Sequence, residues 1–172
     1  MITRRTLIKL SVSAPLLTIV PTSVLSKIGT DGGIKSAMRD SALIYLTPIQ
    51  SNGDESSCQA EVWFVNDGID MYVCTSSKSW RAQAPARGLN RARVWVGDLG
   101  SWKRNNGKYK QLPQVDAEAT VVSDDAMTQK ALDLFGDKYP VQWIVFESRF
   151  RNGLADGSRI MLRYRPFYPE AA

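Results

Sequence analysis

Five residues in one seven-residue stretch, Thr75, Ser76, Ser77, Lys78 and Arg81, supply the ingredients of a phosphate site. Three hydroxyls offer neutral donors, and an ammonium and a guanidinium offer charge-assisted ones. The run begins where an apolar, β-branched segment ends, and a strand end leaves backbone amides free to turn toward an anion. The same residues also suit a solvated loop in which serine and lysine simply face water.

Other chemistry is narrowed by absence. The chain has 172 residues and no histidine. Ser-His-Asp and Cys-His triads, and zinc or haem sites ligated by this chain's own histidine, are therefore excluded. Asp116 with Glu118, and Asp124 with Asp125, are the paired carboxylates, and strand-surface solvation and helix capping explain them more simply than acid–base work. Cys58 and Cys74 are the two cysteines. They fit either a disulfide between neighbouring strands or two buried thiols. A metal would need carboxylate help, and a reactive thiol lacks a base.

The elements that must position these residues read as β-rich. A short helix-compatible piece, 34–40, precedes a strand at 42–47 that ends at Pro48. The segment 59–66 has strand composition, Asp67-Gly68 is a hairpin signal, and 71–75 returns. Residues 80–89 hold a helical turn around Pro85. Strands follow at 92–97 and 115–123, with a turn at Asn105-Asn106-Gly107 between them. Asp124 caps a helix over 125–135, which Gly136 ends. Lys138-Tyr139-Pro140 then leads into the apolar run 142–146, and 159–165 is the last strand. Ile160, Leu162 and Tyr164 share one of its faces; Arg163 and Arg165 lie on the other, facing solvent or an interface. Six or seven short strands with one strong helix predict a mainly β, α+β domain, a small barrel or sandwich.

The net charge of +5 is localised. Residues 1–30 hold Arg4, Arg5, Lys9 and Lys27 and no acid, so 31–172 keep 18 basic and 17 acidic residues. A body that nearly neutral argues against a nucleic-acid partner. The paired arginines before Thr-Leu-Ile-Lys, and the interrupted apolar run 10–20, resemble an export signal of the twin-arginine type, with an ordinary secretory signal or an uncleaved anchor as the alternatives. The run is too short for a stable membrane span, for which ~20 apolar residues are needed. A passable signal exit lies at Val24-Leu25-Ser26. The reading divides the chain into a leader and linker, 1–30, and one domain, 31–172, delivered to the periplasm or beyond. Export after folding hints at a cofactor acquired in the cytoplasm.

Taken in order, several segments resemble the pyridoxamine 5′-phosphate oxidase-like, flavin-binding split barrels. They are Trp63-Phe64-Val65-Asn66-Asp67-Gly68, Met71-Tyr72-Val73-Cys74-Thr75 and Ser76-Ser77-Lys78. Arg81 and Leu89-Asn90-Arg91-Ala92-Arg93-Val94 follow, and the later helix and Lys138-Tyr139-Pro140 suit the second half. The resemblance spans roughly residues 42–165. It implies a split barrel of about six antiparallel strands that holds FMN, or alternatively a deazaflavin. The phosphate then falls to Thr75, Ser76, Ser77, Lys78 and Arg81. The isoalloxazine ring falls to the strand at Val62 and Trp63, with Trp80 nearby, although Trp63 also suits a core position. The resemblance further implies a homodimer with flavin between two barrels, and the aromatic tail at Phe167 and Tyr168 suits an interface or a cap on one barrel end. Three functions fit: a flavin-dependent oxidoreductase, a flavin binder without turnover, and a ligand-free interaction barrel. Pyridoxamine phosphate oxidation itself fits poorly, because that substrate's phosphate needs its own basic cluster and export removes the enzyme from cofactor metabolism.

Overall fold

The structure, a computed structural model, describes residues 31–168. The leader, residues 1–30, where an export signal is expected, lies outside the described residues. Seven strands are present: β1 (Leu43–Pro48), β2 (Ala60–Trp63), β3 (Val65–Asn66), β4 (Met71–Ser76), β5 (Arg91–Val96), β6 (Gln114–Val121) and β7 (Arg159–Phe167). They form one antiparallel sheet in the order β2-β1-β5-β6-β7-β4-β3. Its two edges, β2 and β3, are consecutive pieces of the stretch 60–66, interrupted at Phe64. The first piece pairs with β1 and the second with β4. The sheet thus closes as a six-stranded barrel in which one bent strand serves both edges.

Phe64 lies outside both ladders, so its backbone groups need other partners. Tyr139 provides them. Its hydroxyl accepts the Phe64 N–H at 3.2 Å and lies 2.7 Å from the Phe64 and Ala42 carbonyls. A buried polar group left unpaired costs about 1–3 kcal/mol. Tyr139 therefore permits the crossing from one edge to the other.

Side-chain alternation sorts the two sheet faces. Ile44, Leu46, Met71, Val73, Val94, Ala117, Leu162 and Tyr164 fill the barrel. Val65, Tyr72 and Met161 face outward against α3 (Asp125–Lys138) and α4 (Pro140–Ala155). α1 (Asp31–Asp40) inserts Ile34 and Met38 into the barrel cluster. The amide of Asn66 donates to the Met38 carbonyl at 3.0 Å, so α1 closes the end where β4 begins. α2 (Trp80–Gln83) and a 3-10 turn at Pro85–Arg87 follow where β4 ends, and they bury Ala82 and Ala84 there.

The predicted cap holds: the Asp124 carboxylate accepts the Met127 N–H at 2.6 Å. An expectation next to it fails. α3 does not stop at Gly136 but runs to Lys138. A β-carbon on Gly136 would lie 3.2 Å from the Trp143 indole, so this glycine lets α3 and α4 approach closely instead of ending a helix. The run 142–146 belongs to α4, which Pro140 opens at a first-turn position where its missing N–H costs nothing. Trp143, Phe146, Phe150 and Leu154 pack inward at helical spacing, while Val141, Ile144 and Val145 are exposed.

Arg163 and Arg165 are not merely solvated. Arg165 makes two hydrogen bonds to the buried Asp70 carboxylate, at 2.8 and 2.9 Å, and Arg163 Nε donates to Thr120. Both cysteines are free thiols: Cys58 precedes β2, and Cys74 points outward from β4. Tyr168 packs against the barrel cluster, whereas Phe167 is about half exposed beneath Arg91.

Candidate functional site

β4 alternates into the site. Met71, Val73 and Thr75 point into the barrel, and Tyr72, Cys74 and Ser76 point away. Thr75, the last inward residue, is buried at the α2 end. Arg81 reaches back from α2 to donate from Nη1 to Thr75 Oγ1 at 2.8 Å, and Ser79 Oγ lies 3.3 Å from the same hydroxyl. Arg81 Nε is buried and has no hydrogen-bond partner. Tyr164, inside the barrel, senses the same corner: burial pushes its phenol up, the Arg81 charge opposes this, and Cys58 adds to it.

Beside this corner opens a cleft of about 450 Å³ lined by Gln50, Ser51, Ser56, Ser57, Cys58, Trp80 and Leu89. That volume lies within the range of small-ligand sites, about 300–1,000 Å³. The indole of Trp80 forms one wall and carries Arg87 over its ring, 4.9 Å from the centroid.

The five predicted phosphate residues do not converge on one point. Thr75 and Arg81 meet at the barrel end. Ser77 Oγ donates to the Ser158 carbonyl at 3.1 Å. Ser76 lines a second cleft, with Arg149, Asn152, Gly153, Asp156, Ser158 and Arg159. The Lys78 ammonium has no partner among the described residues. The amides expected to be free are engaged: Ser77 N–H with the Ser158 carbonyl, Lys78 N–H with Ser76 Oγ, and Ser79 N–H with the Ser76 carbonyl. A tight turn onto the β7 strand start consumes them.

The ring-side residues separate too. Val62 packs against the barrel cluster. Trp63 faces the helices, stacked on Tyr139 at a centroid distance of 5.0 Å and edge-on to Phe146 at 5.1 Å. Trp80 alone of the three lines the cleft beside Arg81.

No family model and no curated protein sequence matches the chain. Solved structures do. A provisionally assigned pyridoxamine 5′-phosphate oxidase of Listeria innocua superposes with a TM-score of 0.50 at 14% identity, over 77% of this chain and 90% of its own. The Mycobacterium tuberculosis protein Rv2991 gives 0.52 at 16% identity, over 86% and 93%. A provisionally assigned 5-nitroimidazole antibiotic resistance protein of Bacteroides thetaiotaomicron gives 0.52 at 11%, over 81% of each chain.

The fold is the pyridoxamine 5′-phosphate oxidase-like split barrel. In this split barrel the polar corner at α2 contains residues the sequence pattern did not single out. Ser79 joins Thr75 and Arg81, and Cys58 joins Trp80 in the cleft wall. Ser79 was detectable as one more hydroxyl in the same run. Cys58 was not, because its loop reaches the cleft only through the pairing of β2 with β1.

Proposed function

We propose that the chain is an exported flavin-nucleotide protein, with FMN or a deazaflavin bound at the α2 end of the barrel. One observation carries the reading: a buried guanidinium nitrogen without a partner and an unpaired ammonium, Arg81 Nε and Lys78 Nζ, stand at one strand end beside a cleft walled by an indole. Buried donors lacking acceptors are uncommon in folded proteins and suit a site whose acceptor arrives with a ligand. In this reading Thr75, Arg81 and Lys78 hold the phosphate, and Trp80 walls the ring. The flavin, when bound, supplies hydride and one-electron chemistry; the chain's task is to bind it, orient it and shield it.

Turnover as an oxidoreductase of unidentified substrate is the first reading. The alternative is flavin binding without turnover. Protein purified from intact cells distinguishes them. A flavin absorbance that bleaches under anaerobic reductant and returns with an acceptor supports turnover. A flavin absorbance that does not cycle supports storage, and a colourless protein removes both. The homodimer belongs to the same proposal, supported by the exposed Phe167 and by Val141, Ile144 and Val145 on α4. Light scattering on flavin-loaded protein tests it, and a monomer mass with flavin retained rules out a two-barrel site. Export is tested by Arg4→Lys with Arg5→Lys, which keeps the charge and should strand precursor in the cytoplasm.

A further inference from the structure

The second cleft, on the flank of the barrel, has a feature that the flavin reading does not require. Arg159 opens β7, and its stem lies across α4 at Gly153. A β-carbon there would come 2.7 Å from Arg159 Cδ and 2.8 Å from Cγ. The guanidinium then sits over the Phe150 ring, 5.2 Å from its centroid. Packing fixes this arginine before any ligand arrives.

Its charge is left without an acid. No carboxylate pairs with Arg159 or Arg149 among the described residues. The Cys74 thiol touches Arg159, but burial outweighs the arginine's pull and holds the thiol up at about 11, so it stays neutral at ordinary pH. The other lining groups are Asn152, Ser76, Ser158 and one acid, Asp156, whose carboxylate accepts the Ser158 N–H at 2.8 Å. Two arginines against one engaged carboxylate leave a positive, donor-rich cleft of about 490 Å³.

We propose that this cleft binds a phosphate dianion, free or as the end of a phosphomonoester, with Arg159 as the fixed anchor. Arg149 is the second cation, and Ser76 and Asn152 are the neutral donors. The inference goes beyond the flavin reading and holds with or without flavin bound.

The test is titration of the full chain with inorganic phosphate in a phosphate-free buffer, followed through the arginine side-chain N–H resonances. Saturable binding is expected in the unmodified protein. Arg159→Gln should weaken it about tenfold or more, as loss of a charge-assisted contact does. Gly153→Ala keeps both charges but displaces the Arg159 stem, and it should weaken binding comparably. If Arg159→Gln does not fold, Arg149→Gln on the exposed face of α4 decides the matter, and undiminished binding in that variant overturns the proposal. Absence of saturation in the unmodified protein, or unchanged affinity in the Arg159 and Gly153 variants, also overturns it. An adventitious response, in which chloride shifts the same resonances equally, counts against it. If FMN competes with phosphate and riboflavin does not, the occupant is the flavin's own phosphate. That outcome overturns a ligand separate from flavin and the assignment of the flavin phosphate to Lys78 and Arg81; if neither competes, the occupant is a separate phosphate ligand.

Discussion

The two ends of the barrel are closed by opposite means. At the α1 end Ile34 and Met38, 0% and 4% exposed, complete the apolar core. The cation there, Lys138, lies with Nζ 3.5 Å from the Phe64 ring centroid, and burial pulls its pKa down to about 8. At the α2 end the closure is polar: Ser79 and Arg81 each bond to the Thr75 hydroxyl, and one guanidinium nitrogen is left over among the described residues. An apolar plug finishes a core and needs nothing more. A polar plug with a spare donor offsets its desolvation only partly from within, and the proposed flavin site rests on that unmet hydrogen bonding.

That contrast can be broken most strongly at the dry end. Ile34→Ala should cost about 2–5 kcal/mol, the range for deleting a fully buried aliphatic side chain, while flavin binding per folded molecule stays the same. Urea unfolding and a flavin titration measure the two quantities separately. A large loss of flavin affinity in folded Ile34→Ala would mean that the ends are not independent.

Tyr139→Phe should cost about 1–3 kcal/mol, because Phe64 and Ala42 lose the hydroxyl that serves the strand crossing. Hydrogen exchange at the Phe64 amide should rise ahead of global unfolding. Unchanged protection there would show that the crossing does not depend on Tyr139.

The pH response sharpens the comparison further. Lys138 has a folded pKa of about 8 against an ordinary 10.5, so between those values the unfolded chain holds a proton that the folded chain lacks. Stability therefore gains a contribution as pH rises from about 8 toward 10.5, and Lys138→Met should remove that gain. The difference in denaturation midpoint between the two proteins, followed across this range, checks it; a constant difference contradicts the burial of Lys138. The smallest effect is expected from Lys78→Ala on stability, within about 0.5 kcal/mol, since its ammonium makes no hydrogen bond or ion pair among the described residues.

Local signals in the sequence were sufficient for much of this fold. The Asp67-Gly68 turn, the strand leading to Thr75 and the Asp124 cap each rest on residues a few positions apart, and each is present. α4 went unassigned because Val141, Ile144 and Val145 carry strand-like composition. The spacing of Trp143, Phe146, Phe150 and Leu154 was the helical signal in the same stretch. The site was only partly legible. Hydroxyls and cations could be picked out in the run 75–81, but their directions depend on β4 alternating across the barrel wall, which sends Thr75 inward and Ser76 outward. Arg149 and Arg159 meet Ser76 across more than seventy residues, and only the pairing of β4 with β7 brings them together.

The central claim is that the polar end beside α2 holds the flavin, and one titration tests it most directly. FMN is added to apo-protein and to the Lys78→Ala, Arg81→Ala double variant, with flavin fluorescence as the readout. Each lost charge-assisted contact is worth about 1.5–3 kcal/mol, so the double variant should bind at least about a hundredfold more weakly while its circular dichroism remains that of the parent. Equal affinity in the folded double variant, or no binding of FMN or a deazaflavin by the parent protein, would contradict the account.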